Sequence, residues 1–244
     1  MSEPLAALFF DLDGTLVREG AGEAVQRTAV TLAQRHGLSA EGILAANTSA
    51  WRDCWADQGE RWMRGELSGD ALPRDIWQRT LERFGQDDPA LVDEAVEIHV
   101  REEKATFTLF EESLEVLDAL RADRMPLGLI TNGPAESQRA KLVAAGIDDR
   151  FDVVIASGDL GVVKPEPEIF RHALDLLGIR AAQAAHVGDS FTADIVGAAS
   201  VGMHAVWVNR EADAPPRTDV PHHDCRSLRD VLALVAQESD SRGR

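Results

Sequence analysis

Leu5-Ala6-Ala7-Leu8-Phe9-Phe10 runs directly into Asp11-Leu12-Asp13-Gly14-Thr15. A short apolar run that closes in turn residues reads as an interior strand. It delivers two carboxylates and a flexible glycine to the end of that strand, which is where open α/β sheets bind ligands. Taken alone, the same residues also read as an ordinary Asp-Gly turn.

The pattern downstream bears on that choice. Residues 20 to about 107 show helical periodicity without a convincing strand, through Val30, Leu32, Ile43, Leu44, Ile76, Trp77, Leu81 and Phe84. Gly37, Gly65, Gly69 and the stretch Phe84-Gly85 to Pro89 punctuate it as stops or turns. From Ser113 the periods alternate: helix 113–122, strand 126–131, helix 135–145, strand 152–156, helix 166–177, strand 184–188, helix 192–201 and strand 204–208. Such alternation predicts a doubly wound, Rossmann-like parallel sheet with right-handed crossovers, interrupted by an all-helical insertion. A last helix is expected at about 227–237, followed by a polar tail, Glu238 to Arg244, that frays.

Composition bounds the partners. The 244 residues carry a formal charge of -17, so neither nucleic acid nor an anionic membrane is an expected partner. Cys54 and Cys225 are the only cysteines and are expected to be free, as in a reducing cytoplasm. Met1-Ser2-Glu3-Pro4 has no basic region, and no later segment approaches a membrane span, so a cytoplasmic protein is expected.

Four polar clusters fall at ends of the predicted elements. Asp11 and Asp13 follow the first strand, and Thr131-Asn132-Gly133 follows Leu127-Gly128-Leu129-Ile130. Gly188-Asp189-Ser190, with Asp194 beyond it, follows Ala184-Ala185-His186-Val187, while Lys164-Pro165 precedes a helix. Each piece alone is also common turn or cap chemistry. Parallel strands, however, bring their ends to one edge, where these residues converge. Asp11, Asp13 and Asp189 would repel one another without a cation, and an all-oxygen site of few carboxylates suits Mg2+. Thr131 can then donate a hydroxyl hydrogen bond, and Lys164 can offer its charge to a phosphoryl group. One aspartate can serve as nucleophile while a second donates and then accepts a proton.

Competing motifs fail. A calcium loop needs an acid or amide and then a glycine where Thr15 and Leu16 stand. Gly188-Asp189-Ser190-Phe191-Thr192 lacks the last glycine of a serine-hydrolase elbow. Neither a nucleoside-triphosphate phosphate loop nor a dinucleotide fingerprint occurs. His222, His223 and Cys225 read as a polar loop rather than a zinc site.

Together Asp11-Leu12-Asp13-Gly14-Thr15, Ile130-Thr131-Asn132-Gly133, Lys164-Pro165 and Gly188-Asp189-Ser190 through Asp194 resemble, in order, the four motifs of the haloacid dehalogenase superfamily. The resemblance spans nearly the whole chain. It implies Asp11 as nucleophile, Asp13 as general acid and base, and Thr131 and Lys164 as stabilisers of the transferred group. It also implies phosphate contacts from Leu12 and Asn132, and Mg2+ held by Asp11, the Asp13 backbone carbonyl and Asp189, with Asp194 supporting them. Residues 18–107 then look like the family's helical C1-type cap, set into a core of residues 1–17 and 108–244.

Dehalogenases of the family generally lack an acid at the position of Asp13, so hydrolysis of a small phosphomonoester, a nucleotide or sugar phosphate, is the implied reaction. Ile130-Thr131-Asn132-Gly133 with Lys164-Pro165-Glu166-Pro167-Glu168-Ile169-Phe170 is similar to the branch holding pyrimidine 5'-nucleotidases and N-acylneuraminate 9-phosphatases. A phosphotransferase or mutase, a 2-haloacid dehalogenase and a non-catalytic phosphate-binding protein are the alternatives. In the cap, Arg18, Arg52, Arg61 and Arg64 are candidate anion contacts, and Trp51, Trp55 and Trp62 candidate stacking groups. Trp51 and Trp55, one turn apart, read first as a packed face and the arginines as surface charge. A monomer or weak homo-oligomer is expected.

Overall fold

A computed structural model describes residues 4–18, 20–216 and 219–240. Met1-Ser2-Glu3 of the expected N-terminus, Glu19 of the expected insertion and residues 241–244 of the expected tail lie outside the described residues.

Strand β1 (Ala7–Phe10) is buried on both faces, as its unbroken apolar run requires. Four helices follow: α1 (Ala21–His36), α2 (Ala40–Met63), α3 (Ala71–Glu82) and α4 (Pro89–Thr106). The chain then alternates through α5 (Ser113–Ala122), β2 (Leu127–Thr131), α6 (Ala135–Ala145), β3 (Val153–Ala156), the single turn α7 (Ser157–Leu160) and α8 (Pro167–Leu177). It continues with β4 (Ala184–Gly188), a π-helical turn Phe191–Val196 running into α9 (Gly197–Ser200), β5 (His204–Val208), β6 (His223–Cys225) and α10 (Arg229–Asp240).

The six strands form one sheet in the order β3-β2-β1-β4-β5-β6, and every pairing is parallel. Alternation along β1 sends Leu8 and Phe10 to one face with α5 and α10, and Ala7 and Phe9 to the other with α8 and α9. The doubly wound sheet is therefore the observed fold. Its turning point lies at β1, where the chain adds β2 on one side and β4 on the other, and a crevice opens there above the strand ends.

The four inserted helices bury an apolar cluster of their own, with Leu32, Ile43, Trp77, Leu81 and Ile98 at its centre. Ser39 and Asp88 cap α2 and α4 by accepting from the Gly42 and Ala90 N–H groups. The chain leaves and rejoins the sheet side by side, since Val17 bridges Leu109. Among the described residues no helix is long and apolar enough to cross a membrane.

Three expectations need correction. The helix predicted at 192–201 opens as a π turn, in which Ser190 caps Ala193 and accepts from the Asp194 and Ile195 N–H groups. The edge strand β6 arises where a loop was expected, because three residues are too few to show a period. The last helix begins at Arg229 and runs on to Asp240, through residues expected to fray.

Candidate active site

Parallel pairing of β1 with β2 and β4 brings Asp11, Thr131 and Asp189 to one edge of the sheet. Lys164 reaches them from the loop before α8. Its ammonium lies 2.5 Å from Asp11 Oδ1 and 2.6 Å from Asp194 Oδ1, in a site where all three side chains are at most 9% exposed. Asp11, Asp189 and Asp194 each bring an oxygen within 4.8 Å of the other two. The carboxylate trio is thus Asp11, Asp189 and Asp194, not the expected Asp11, Asp13 and Asp189.

Each member is held by its neighbours. The Thr15 hydroxyl donates to Asp189 Oδ1 at 3.0 Å, and the Trp207 indole N–H fixes the Asp189 carbonyl at 2.8 Å. The π turn bends Asp194 back so that the Ser190 N–H donates to its Oδ2. Fully buried His186 lies with Nε2 2.8 Å from Asp194 Oδ1. Burial disfavours the imidazolium, so the neutral ring donates from Nε2.

The electrostatics are those of carboxylates short of positive charge. Burial raises Asp11 well above the usual carboxylate range, against the pull of Lys164. Burial and the Asp194 charge push Asp189 up to about 6. For Asp194 burial acts the same way, but the Lys164 ammonium and His186 overcome it and bring the group to about 2. Burial opposes the Lys164 charge, yet Asp11 and Asp194 together raise its pKa. One ammonium cannot neutralise three carboxylates.

The donor set suits a hard divalent cation, which prefers oxygen ligands. Room for it is kept by glycine: a Cβ on Gly14, whose φ is +79°, would lie 2.4 Å from Asp189 Oδ2.

The remaining expected residues divide. The Thr131 hydroxyl accepts from Gln138 Nε2 at 2.6 Å and so keeps its own proton to donate. Both ends of the Asn132 amide are spent on the Lys164 backbone, at 2.8 and 3.1 Å, so a phosphate contact from Asn132 falls to its main chain. Leu12 is fully buried, which likewise leaves only its backbone. The Asp13 carboxylate stands apart from the trio, bound to Lys141 at 2.8 and 2.9 Å and to Gln138 at 3.0 Å. Lys141, Gln138 and His186 were not singled out in the sequence. Gln138 and Lys141 lie in the first two turns of α6, soon after Thr131-Asn132-Gly133, but no pattern in the residues marked them.

Among the inserted residues, Trp51 and Trp55 stack on each other at 5.6 Å while 50% and 36% exposed, so the expected packed face is not buried. Trp62 is half-buried, with its indole N–H on the Gly69 carbonyl. Arg61 pairs with Glu66, Arg52 is exposed, and Arg18 packs over the Phe110 ring. Arg64 crosses to the sheet side and binds Glu166 and the Gly161 carbonyl. Beside it the Ser157 hydroxyl accepts from the Gly133 N–H and donates to the Met63 carbonyl.

Residues 5–202 match the family model of haloacid dehalogenase-like hydrolases. The chain is 38% identical over 161 residues to a phosphoserine phosphatase of Thermus thermophilus, covering 66% of this chain and 64% of that one. It thus spans a little under two thirds of that relative's length. It is 31% identical over 245 residues to a glyceraldehyde 3-phosphate phosphatase of Methanopyrus kandleri, covering 96% and 98%. Among solved structures, a 2-haloacid dehalogenase of Pseudomonas syringae superposes with a TM-score of 0.72 at 26% identity, covering 96% of this chain and 99% of that one.

Proposed function

Because the chain belongs to the haloacid dehalogenase-like hydrolases, we propose that it is a Mg2+-dependent phosphatase of small phosphorylated metabolites. The observation that carries this reading is the buried trio Asp11, Asp189 and Asp194 around a single ammonium. Three carboxylates repel the carboxylate of a haloacid, whereas with a divalent cation they form a site for a phosphate dianion. The relatives from Thermus thermophilus and Methanopyrus kandleri act on three-carbon phosphate esters, which favours a small substrate here as well.

Asp11, the Asp13 backbone carbonyl and Asp189 would hold Mg2+, with Asp194 supporting them. When bound, the ion supplies positive charge to a phosphoryl oxygen and offsets the carboxylates. The Asp11 carboxylate attacks phosphorus, forming an aspartyl-phosphate as the bond to the leaving oxygen breaks, and Asp13 gives that oxygen its proton. Water then attacks the same phosphorus and yields a proton to Asp13, which releases phosphate and restores the Asp11 carboxylate. Through both steps the Thr131 hydroxyl, the Lys164 ammonium and the backbone N–H groups of Leu12 and Asn132 stabilise the phosphoryl oxygens.

Residues 18–107 act as a cap on a core of 1–17 and 108–244. Their separate apolar cluster and paired linkers support this, as does the contact of Met63 and Arg64 with the loops around Ser157 and Glu166. Closure excludes water other than the attacking molecule. The net charge of -17 argues against nucleic-acid and anionic-membrane partners, and two free thiols fit a reducing cytoplasm.

The test is inorganic phosphate release from nucleoside monophosphates, sugar phosphates, phosphoserine and 4-nitrophenyl phosphate, with Mg2+ or with EDTA. Release that needs Mg2+ and vanishes in Asp11→Asn supports the proposal. Release that is independent of either sinks it.

A further inference from the structure

Lys141 has no part in the scheme above, yet its ammonium chelates both oxygens of Asp13 at 2.9 and 2.8 Å with only 18% of its side chain exposed. Gln138, one turn earlier on α6, donates to the same carboxylate, to the Thr131 hydroxyl and to the Asn132 carbonyl. Among the described residues every donor to the Asp13 carboxylate comes from α6. That helix therefore sets the proton-transfer group and the phosphate-binding hydroxyl in one frame.

The far side of Lys141 meets the inserted helices. Its ammonium lies 5.6 Å from the centre of the Phe107 ring, at the end of α4. Glu103, one turn back, is half-buried, and its carboxylate accepts no hydrogen bond among the described residues. Burial pushes that carboxyl up, and the Lys141 charge is what opposes the rise. Lys141 is thus paired with Asp13 on the sheet side and packed near Phe107 on the helical side, where its charge also acts on Glu103.

Resting on the phosphatase reading, we propose that Lys141 is the positioning residue of Asp13. It fixes where the Asp13 carboxylate stands relative to the leaving-group oxygen, and its contact with Phe107 ties that position to the docking of the inserted helices. The physical ground is the sensitivity of proton transfer to placement: an error near 1 Å costs about a hundredfold in rate. A side chain paired at both oxygens samples far fewer positions than a free one.

The test separates positioning from mere support by changing how much the reaction needs a proton. kcat/KM covers the steps through the first phosphoryl transfer. It is measured with glycerol 2-phosphate, whose alkoxide must be protonated to leave, and with 2,4-dinitrophenyl phosphate, whose phenolate leaves unaided. For Lys141→Met the expected fall is about 30-fold or more on the first ester and under about threefold on the second. Asp13→Asn should show the same asymmetry, and Lys141→Arg should recover most of the rate on glycerol 2-phosphate. Lys141→Gln carries the same comparison if the methionine variant does not fold. Equal losses on both esters, or none on either, overturn the assignment. A wild-type protein that releases phosphate from neither ester overturns the phosphatase reading and this inference with it.

Discussion

Arg64, the residue that ends α2, donates from Nη1 to Glu166 at 3.2 Å and to the Gly161 carbonyl at 2.7 Å. Glu166 in turn accepts from the Val163 N–H, beside Lys164. A guanidinium of the inserted helices is therefore bound to the loop that carries the buried ammonium of the site.

Arg64→Ala should loosen this clamp. Charge-assisted bonds of a partly exposed pair are worth about 1 kcal/mol, so amide hydrogen exchange at Gly65 and Glu66 should speed up by roughly fivefold. Exchange unchanged at both amides would mean that the clamp carries no weight.

Lys164→Met leaves Asp11 and Asp194 facing each other without their shared cation. Removing one partner of a buried pair costs about 3–5 kcal/mol, a drop of roughly 10 °C in the metal-free melting temperature. Added Mg2+ should restore more of the melting temperature in the variant than it adds to wild type, and phosphate release should fall at least about a hundredfold. Thermal scans with and without Mg2+ check this, and a variant that melts like wild type refutes it.

The acid cluster sets a pH dependence. Asp189, pushed up to about 6 by burial and by Asp194, binds its proton more tightly folded than unfolded. Its contribution to stability is fully present below about pH 4 and lost as pH rises through about 6. Asp11, raised by burial, has the same sign. Asp194 runs the other way: its contribution is present above about pH 4 and lost as pH falls through about 2. The metal-free melting temperature should therefore decline from pH 5 to pH 7, and Mg2+ should add more at pH 7 than at pH 5. Asp189→Asn should flatten the decline; an unchanged slope in that variant would count against the assignment.

Gly14→Ala combines backbone strain with a clash, since the added Cβ would stand 2.4 Å from Asp189 Oδ2 at a φ of +79°. Gly37→Ala meets open space at a φ of +67° and is the control for strain alone, about 1–2 kcal/mol. Gly14→Ala should also abolish stabilisation by Mg2+, whereas Gly37→Ala should keep it in full. Calorimetry of both variants with and without the ion decides the point.

Much of this was legible in the residues. The run Leu5 to Phe10 and the alternation after Ser113 give the parallel sheet, because a strand buried on two faces and a helix buried on one leave different periods. The polar clusters at strand ends then fall together by topology. Two parts of the site escape such reasoning. Among the residues of α6 only Gln138 and Leu142 are buried, so no apolar stripe reveals that Gln138 and Lys141 face Asp13. Asp194 reaches Lys164 through a π turn, a local widening without a periodic signature. Trp51 and Trp55 show the converse limit: a spacing of four puts two rings on one side of a helix but does not say whether that side is covered.

The place of β1 in the sheet governs when the protein can first act. The strand before Asp11 is synthesised well ahead of its two neighbours in the sheet, residues 127–131 and 184–188. At ordinary elongation speeds, tens of seconds on the order of magnitude separate the emergence of Asp11 from that of Asp194. A nascent chain released between those points carries Asp11 without Lys164, Asp189 or Asp194, and so cannot assemble the buried carboxylate cluster. The cluster forms in a single step, once residues 184–194 have been made and β4 has joined β1.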